Sequence, residues 1–476
     1  MRILKERPRQ FTAAVITATI VFAVVGFFLG RSNADLNAGD STEARQASTA
    51  NDEDNPPVSA DSQTNARTVA AAPADGAAPT VAAVNTDWPS WRGPNRDGIS
   101  KETGLLREWP SDGPPLVWTA HGLGGGMASV AVVEDVIYTM GSQRGTTIAA
   151  VGRKSGDLLW TAKVGGGGNP NATPTVDTNT KLVYGISKGG DLLCAKATDG
   201  DTVWSKNFSR DFGGKMMSGW GYSESPLIDG DRLICTPGAQ DAAIAALDKR
   251  TGRVIWKSAV SGIGGAGYSS IVISQGAGVK QYIQLMGRAI IGVDAQDGTL
   301  LWRYERVANG TANIPTPIVQ GDYVFCSSGY GTGSALLKLV RDGSGVRAEQ
   351  VYFLAANKMQ NHHGGMIRIG EYIYCGHGQN NGFPLCIEMK TGKRAWRIGR
   401  GAGSGSAAIA FADGHLYFRY QNGTMALIEA NPREYKLKST FKIATRNGES
   451  WPHPVISNGH LYLRDQDVLH CYNIKE

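Results

Sequence analysis

Apolar and polar residues alternate over short segments along most of this chain, and a turn sequence separates each segment from the next. Residues 321–326 read Gly-Asp-Tyr-Val-Phe-Cys and residues 414–418 read Gly-His-Leu-Tyr-Phe. Asp-Gly pairs lie at 229–230 and 413–414. A period of two residues is typical of a strand with one buried face, and Asp-Gly favours a tight hairpin turn. The pattern therefore predicts an all-β protein built from hairpins.

One turn-and-strand motif recurs five times. Its best copy, residues 248–256, reads Asp-Lys-Arg-Thr-Gly-Arg-Val-Ile-Trp, with tryptophan four residues after the glycine. The same spacing recurs at 154–160, 198–204, 296–302 and 390–396. A repeat of roughly 40 to 50 residues with strand-turn-strand content is typical of a β-propeller, in which each repeat is one four-stranded blade.

Three more blades follow from degenerate copies and from the chain ends. Tyr352, after the turn at 342–345, and Phe441 stand where the repeat has tryptophan. Trp118 lies in an outer strand with no blade before it, while residues 450–476 supply inner strands with no outer strand after them. Pairing these two ends would close the ring and leave no free edge between first and last blade.

We therefore predict an eight-bladed propeller of four-stranded antiparallel blades over residues 87–476. The repeat aromatics should pack between blades and not form a ligand site, because large rings bury much apolar surface. They are Trp118, Trp160, Trp204, Trp256, Trp302, Tyr352, Trp396 and Phe441.

The chain before the propeller has a different composition. Residues 1–10 are basic, and residues 10–30 contain no charged side chain. About 20 apolar residues can span a bilayer as a helix, and the positive flank stays in the cytoplasm. We predict a cytoplasmic tail (1–10) and an uncleaved transmembrane signal anchor (11–30). Cleavage near 32–34 is the alternative.

Residues 31–86 contain no Phe, Trp or Tyr and are rich in Ala, Asp, Asn, Thr and Pro. Such a segment buries too little apolar surface to order itself, which predicts a disordered linker. The protein would then be a single-pass inner-membrane protein, with its N-terminus in the cytoplasm and its propeller in the periplasm.

Charge and cysteine content narrow the classes of partner and chemistry. The formal net charge is +6, without a run of Lys or Arg, so we expect no nucleic-acid partner. We expect the six cysteines to be buried free thiols, because they are scattered over the predicted strands. Only Cys375 and Cys386, in neighbouring strands, are candidates for a disulfide.

The repeats, with glycine at the turn and tryptophan four residues later, resemble the PQQ-like propeller repeat of quinoprotein dehydrogenases and of the outer-membrane assembly factor BamB. The lead-in at 87–98 and the closing segments 451–454 and 463–467 are similar to exported PQQ-like proteins of planctomycete-type bacteria. This resemblance implies the fold for the whole exported region, and one propeller scaffold hosts both enzymes and binding proteins.

The resemblance also implies what a dehydrogenase of this family would contain. Its quinone lies between a tryptophan and a disulfide of adjacent cysteines, with a calcium ion and an aspartate base. This sequence has no adjacent cysteines and no Cys-x-x-Cys-His haem motif. We therefore assign no catalytic residue and expect no cofactor, with PQQ and calcium as the alternative.

Residues that precede the innermost strands give the best candidate site. Small polar residues recur there in seven blades: Ser129, Thr173, Ser225, Ser270, Thr316, Ser406 and His453. In the sixth blade two glycines, 364–365, take this position. They should surround one mouth of the central channel, or else satisfy backbone groups at strand ends and bind water. With the adjoining loops, the candidate binding residues are Trp220, Tyr222, Glu224, Tyr268, Asn313, His362, His363 and His453.

His362 and His363 point to opposite faces if the backbone is extended. A metal site would then need a third donor from another blade, such as His453 or Glu224. We assign no metal site.

Our first hypothesis is a membrane-tethered, non-catalytic propeller that acts as a protein-interaction scaffold in the cell envelope. The resemblance to BamB suggests outer-membrane protein assembly. The second hypothesis is a divergent quinoprotein dehydrogenase or sugar-binding enzyme, in which Trp220 and Tyr268 stack on the substrate and Glu224 or His362 is the base. The third is an extracytoplasmic ligand sensor.

Overall fold

The protein is described here by a computed structural model that covers residues 86–445 and 448–476. Within these residues, 32 strands form eight four-stranded antiparallel sheets. The predicted all-β, eight-bladed propeller is confirmed. The first strand, β1 (Leu116–Ala120), belongs to the last blade.

The first four blades each run from an innermost to an outermost strand in sequence order. Blade 1 consists of β2 (Ala131–Val133), β3 (Val136–Ser142), β4 (Thr146–Gly152) and β5 (Leu158–Gly165). Blade 2 consists of β6 (Thr175–Asp177), β7 (Leu182–Ile186), β8 (Asp191–Lys196) and β9 (Thr202–Asn207), followed by the short helix α1 (Phe208–Phe212). Blade 3 consists of β10 (Leu227–Asp229), β11 (Arg232–Cys235), β12 (Ala245–Asp248) and β13 (Val254–Lys257). Blade 4 consists of β14 (Val272–Ser274), β15 (Gln281–Leu285), β16 (Ile290–Asp294) and β17 (Leu300–Tyr304), with a 3-10 turn at Gly276–Gly278.

The other four blades follow the same order except at the closure. Blade 5 consists of β18 (Ile318–Gln320), β19 (Tyr323–Ser328), β20 (Gly333–Asp342) and β21 (Gly345–Ala355). Blade 6 consists of β22 (Met366–Ile369), β23 (Tyr372–His377), β24 (Phe383–Glu388) and β25 (Arg394–Arg397). Blade 7 consists of β26 (Ala407–Ala412), β27 (His415–Tyr420), β28 (Thr424–Glu429) and β29 (Leu437–Lys442). Blade 8 consists of β30 (Val455–Ser457), β31 (His460–Asp465) and β32 (Val468–Asn473), with β1 outermost.

The two ends of the propeller close the ring as predicted. Strand β1 pairs with β32, with Trp118 opposite Cys471. The loop that leads on to blade 1 is fixed by Arg464 and Asp467 of blade 8, and the Arg464 guanidinium donates to the Gly124 carbonyl at 2.7 Å. The Asp467 carboxylate accepts hydrogen bonds from the amides of Gly122 and Gly124 at 3.0 and 2.6 Å. Since these charged groups satisfy loop amides, the glycine-rich crossing is held in one conformation.

The repeat aromatics lie between neighbouring blades, as predicted. The Trp204 ring of blade 2 covers Gly252 in the outer turn of blade 3, and its indole nitrogen donates to the Lys249 carbonyl at 3.0 Å. A Cβ on Gly252 would lie 2.8 Å from that ring, and the glycine has φ +70°. The turn therefore requires glycine for its backbone conformation and for the space below the ring. The same contact joins Trp118 to Gly156, Trp160 to Gly200, Trp256 to Gly298, Tyr352 to Gly392 and Phe441 to Gly113.

All six cysteines are free and buried. In the suspected pair, Cys375 lies opposite Leu385 and Cys386 lies opposite Tyr374. Successive side chains of a strand point to opposite faces of the sheet, so the two sulfurs lie on different faces of blade 6. The suspected disulfide is therefore not formed.

The described part of the chain has no helix that is both long and apolar enough to cross a bilayer. The predicted tail (1–10), the anchor (11–30) and the linker up to residue 85 lie outside the described residues.

Candidate functional site

Residues 88–100, which precede the repeats, lie in the central channel, and we call them the channel segment. Val132 of β2 exchanges two backbone hydrogen bonds with this segment, at 2.7 and 2.8 Å. Val176 of β6 donates one at 2.8 Å, and Phe411 of β26 donates one at 2.9 Å. These strands are the innermost of blades 1, 2 and 7. The segment therefore fills space that the innermost strands would otherwise leave to solvent.

Side chains of the channel segment reach three further blades. The Trp91 indole donates to the Thr316 hydroxyl of blade 5 at 3.3 Å. The Arg92 guanidinium donates to the Met366 carbonyl of blade 6, and Arg96 donates to a carbonyl at the start of blade 3. Charged donors to buried carbonyls form strong hydrogen bonds, so these arginines fix the segment in the ring.

A cavity of about 360 Å³ lies against this segment in the channel. Its wall combines aromatic rings, imidazoles, two cations, amides and hydroxyls from seven blades and from the segment itself. The lining residues are Trp91, Arg92, Met127, Asn169, Asn171, Lys188, Trp220, Ser223, Tyr268, Ser270, Ala312, Ile314, Pro315, Thr316, Tyr330, His362, His363, Gly365, Trp451, Pro452 and His453.

One wall of the cavity is a continuous row of rings. Trp91 packs edge-on against His453, with ring centroids 4.5 Å apart. His363 lies 4.5 Å from Trp451 and 4.2 Å from His362. At the mouth, a separate pair is formed by Trp220 and Tyr268, whose centroids are 6.0 Å apart. Such surfaces suit a flat or apolar ligand.

Burial keeps the histidines of this wall neutral at neutral pH. Desolvation lowers the pKa of His362 to about 4 and that of His363 well below its usual value. The pKa of His453 falls to about 3, first through desolvation and then through the nearby charge of Arg92. The pKa of Arg92 itself is lowered by burial only to about 10, so Arg92 stays charged. The wall therefore combines neutral imidazoles with a permanent cation.

Five of the eight candidate residues line this cavity: Trp220, Tyr268, His362, His363 and His453. The other three, Tyr222, Glu224 and Asn313, are not among the lining residues. The Tyr222 hydroxyl donates to the Pro237 carbonyl at 2.9 Å. The Asn313 amide donates to the Met286 carbonyl at 2.9 Å. These two side chains complete the hydrogen bonding of loops around the channel mouth.

Glu224 is 2% exposed and lies near Arg96 of the channel segment. Desolvation raises its pKa to about 8, and a hydrogen bond from Thr236 and the charge of Arg96 oppose that rise. Glu224 is therefore a buried carboxyl near the channel segment that is not among the residues lining the cavity.

Four of the small polar residues that precede the innermost strands form a relay across blades 1 to 4. The amide of Ser129 donates to the Thr173 hydroxyl at 3.1 Å, and the amide of Thr173 donates to the Ser225 hydroxyl at 2.9 Å. The amide of Ser225 donates in turn to the Ser270 hydroxyl at 3.1 Å. The hydroxyls of Thr173, Ser225 and Ser270 each satisfy a backbone amide of the preceding blade. This is the structural role predicted from the sequence as the alternative to ligand binding.

His362 bonds with two hydroxyls and with no acid. Its Nδ1 lies 2.8 Å from the Ser406 hydroxyl and its Nε2 lies 3.0 Å from the Tyr330 hydroxyl. The Ser406 oxygen also lies 3.0 Å from the Asn380 amide oxygen. A serine nucleophile needs a base oriented by a third group, commonly a carboxylate. Here, with the pKa of His362 near 4, the contact positions the ring instead.

The donor set does not fit PQQ with calcium. Among the described residues that line the cavity, none is an aspartate or glutamate. Calcium sites in proteins take carboxylate oxygens, and the dehydrogenase reaction also needs a base. The described chain also brings no three His, Cys, Asp or Glu side chains together as a metal site.

The sequence did not reveal several lining residues. Trp91 and Arg92 lie outside every repeat. The available signal was that this Trp-Arg pair precedes the first predicted strand and so is not part of a blade. Lys188 and Tyr330 lie in the turns between the second and third strands of blades 2 and 5. Trp451 precedes His453 by two residues, and its proximity to a candidate residue was the available signal.

Comparison with known proteins agrees with this fold. The protein-family profile described as outer membrane protein assembly factor BamB matches residues 144–398, more than half of the chain. No curated protein matches the sequence.

Solved structures of similar fold come from both branches of the PQQ-like propellers. BamB from Moraxella catarrhalis is 14% identical, with a TM-score of 0.55 over 76% of this chain and 98% of that one. The quinohemoprotein alcohol dehydrogenase from Comamonas testosteroni is 14% identical, with a TM-score of 0.57 over 81% of this chain and 80% of that one. The designed protein Ika8 is 12% identical, with a TM-score of 0.53 over 76% of this chain and 100% of that one. At these identities the likeness shows the fold alone. By its profile match, the chain belongs to the family of outer membrane protein assembly factor BamB.

Proposed function

We propose that this protein is an exported, non-catalytic propeller that holds a protein partner in the cell envelope. In this proposal residues 11–30 anchor it in the inner membrane, the N-terminus is cytoplasmic and the propeller lies in the periplasm. It requires no cofactor for this role.

The observation that carries the proposal is an exposed apolar surface on the outermost strands, which we call the apolar rim. Leu116 and Val117 of β1, and Leu158 and Leu159 of β5, are 47 to 53% exposed. The rim continues on blades 2 and 3 with Val203, Val254 and Ile255, and single exposed apolar residues follow on blades 4, 5 and 7: Leu300, Val351 and Leu437. At the same position blade 6 has the exposed residues Arg394 and Ala395. Exposed apolar side chains are paired on blades 8, 1 and 3, and such a surface is typical of a protein-binding site.

The outermost strands also have an unpaired edge. Strand β5 pairs with β4 on one side only, and β1 pairs only with β32. An extended segment of another protein can add to such an edge, with its backbone giving affinity and apolar side chains giving selectivity. We therefore propose an extended, apolar segment of an envelope protein as the partner. The family description makes outer-membrane assembly proteins the first candidates.

The alternative enzyme function has less support. A dehydrogenase would need a base and a cation site beside its quinone, and the cavity lining has no carboxylate to supply either. Glu224, the carboxylate that a sugar- or quinone-binding enzyme was expected to use, is not among the residues lining the cavity.

Site-specific photocrosslinking in cells tests the scaffold proposal. A photoreactive phenylalanine at position 159 should give a defined adduct with an envelope protein. The same residue at position 395, the equivalent exposed place in blade 6, is the matched control and should give none. Adducts of equal yield at both positions, or none at 116, 117, 158 and 159, would refute the proposal.

A further inference from the structure

The cavity in the channel is independent of the apolar rim, and the scaffold function leaves it unexplained. We propose that it is a metal-independent binding site for a small aromatic carboxylate. Its volume of about 360 Å³ lies within the range of small-ligand pockets. The ligand class follows from two features, the rings and the balance of charge, and the described side chains form no three-donor metal site that would compete.

The rings fix the flat part of the ligand. Trp451 and His363 form one deep aromatic surface, and Trp220 with Tyr268 form another at the mouth. Trp220 is 50% exposed, so its indole offers a large apolar surface at the mouth of the cavity. A planar aromatic ring in the cavity would cover part of this exposed surface and stack on it.

Positive charge in the cavity is not balanced by any lining acid. The Arg92 guanidinium is held through Nη2 by two backbone carbonyls, those of Asp97 and Met366. Its Nη1 has no acceptor among the described residues. The Lys188 ammonium likewise has no hydrogen bond or ion pair within the described chain. Asp97 partly offsets the charge of Arg92 from below, but no Asp or Glu lines the cavity itself.

The backbone leaves room for an anion beside Arg92. Gly365 lines the cavity, and a Cβ there would lie 2.9 Å from Arg92 Nη1 and 2.9 Å from the His453 ring. The glycine has φ +75°, a conformation that other residues rarely adopt. A fixed guanidinium in a site of low dielectric binds a carboxylate more strongly than one in water does.

The histidines do not complete a metal site that would compete with this anion site. His363 Nε2 is buried without a hydrogen-bond partner within the described chain, but no three His, Cys, Asp or Glu side chains come together there. Both nitrogens of His362 are already engaged, with the hydroxyls of Ser406 and Tyr330. His453 Nε2 lies 3.2 Å from the His363 carbonyl. Tyr330 takes a left-handed backbone, with φ 55°, to place its hydroxyl there. Since such strain persists only where the surroundings impose it, the ring orientation of His362 is fixed and not adaptable.

Calorimetric titration of the full-length protein in detergent tests the site, with 2-naphthoate as the probe and 2-naphthamide as its uncharged analogue. We expect saturable binding of 2-naphthoate that EDTA does not change, and at least tenfold weaker binding of the amide. A blank titration into the same detergent corrects for partitioning of the probe.

Two variants locate the bound probe. Lys188→Gln should weaken 2-naphthoate about tenfold and leave the amide unchanged, because it removes only a charge. Trp220→Ala should weaken both probes about fivefold, because it removes a stacking surface. Lys163→Gln, at an exposed position of the outer strand β5, is the charge control and should change neither.

The proposal is wrong if 2-naphthoate shows no saturable binding, if the amide binds equally well, or if Lys163→Gln has the effect of Lys188→Gln. A requirement for added calcium would also overturn it, because the site would then depend on a metal. Unchanged thermal unfolding of both cavity variants confirms that lost binding is not lost folding. None of these outcomes bears on crosslinking at the apolar rim, so the two proposals fail separately.

Discussion

The outer turns of the blades and the central channel are stabilised in opposite ways. In the outer turns one contact recurs around the ring: an aromatic ring of one blade lies on a glycine of the next, as Trp204 does on Gly252. In the channel, by contrast, the contacts of the channel segment differ from blade to blade, because a segment from outside the repeats bonds to six blades through different groups. Repetition gives the outer contacts a structural role, whereas the asymmetric channel can be specialised without changing the ring.

The largest effect should come from adding one methyl group to an outer turn. In Gly252→Ala the new Cβ would lie 2.8 Å from the Trp204 ring at a backbone φ of +70°. We expect a loss of about 3 kcal/mol in the free energy of unfolding, from the left-handed conformation and the overpacking together. Denaturant unfolding of the full-length protein in detergent, followed by tryptophan fluorescence, measures it.

Gly343→Ala is the matched control for this substitution. Gly343 occupies the corresponding turn of blade 5 with φ +56°, but a Cβ there would meet no described atom within 4 Å. Gly343→Ala should lower the free energy of unfolding by only about 1 kcal/mol, because only the left-handed backbone conformation is unfavourable for alanine. Equal losses in the two variants would show that the aromatic-on-glycine contact adds nothing to stability.

The second effect, in the channel, depends on pH. The pKa of His453 is lowered in the folded protein to about 3, mainly by burial. Below the ordinary histidine pKa of about 6.5 the unfolded chain therefore binds a proton that the folded chain does not. Stability is complete above about pH 6.5 and falls as the pH is lowered, by about 2 kcal/mol between pH 7 and pH 5 for this residue.

His453→Gln should remove that part of the loss, so that its unfolding free energy changes less between pH 7 and pH 5 than that of the unmodified protein. An unchanged slope in His453→Gln would mean that His453 is protonated in the folded state or reaches water.

A third, smaller effect concerns the channel segment. Trp91→Ala removes the indole that packs on His453 and bonds to Thr316. The indole already borders a cavity, so its loss leaves less unsatisfied packing than a core truncation does, and we expect a loss of about 1 kcal/mol. Thermal unfolding measures it, with the half-exposed Trp220→Ala as the control that should change stability little. A loss as large as that of Gly252→Ala would mean that the channel segment supports the whole ring.

The repeated part of the fold could be predicted from the sequence because its physics is local. The spacing of a turn glycine and a ring four residues later has a local cause. The turn needs the positive φ of glycine, and the ring of the preceding blade needs the space above it. The spacing of the repeat also identified Tyr352 as a substitute for tryptophan. In the structure its hydroxyl reaches the next blade and donates to the Met389 carbonyl at 2.5 Å. The suspected disulfide between Cys375 and Cys386 is not formed, because the register of the two strands places the cysteines on opposite faces of the sheet. Closeness in sequence does not reveal this register.

The candidate site could be predicted only in part, because many of its contacts join residues that are far apart in sequence. The position before each innermost strand pointed to His453, and the adjoining loops pointed to His362 and His363; all three line the cavity. Neither signal could reveal that Trp91 and Arg92 would occupy the channel, since no periodicity refers to a segment outside the repeats. Nor could they reveal that Glu224 would be buried near Arg96 of that segment and would not line the cavity.

The smallest effect on stability should come from the apolar rim, where function and folding separate most clearly. Leu159 is 53% exposed, so Leu159→Asp removes little buried surface and should change the free energy of unfolding by no more than about 0.5 kcal/mol. It should nevertheless abolish the partner adduct of a photoreactive residue at the neighbouring position 158, because a carboxylate cannot be desolvated against an apolar segment. Arg394→Asp in blade 6 should leave that adduct unchanged. If Leu159→Asp instead destabilised the propeller as Gly252→Ala does, the rim would be part of the blade core, and its exposed leucines would be no guide to a partner.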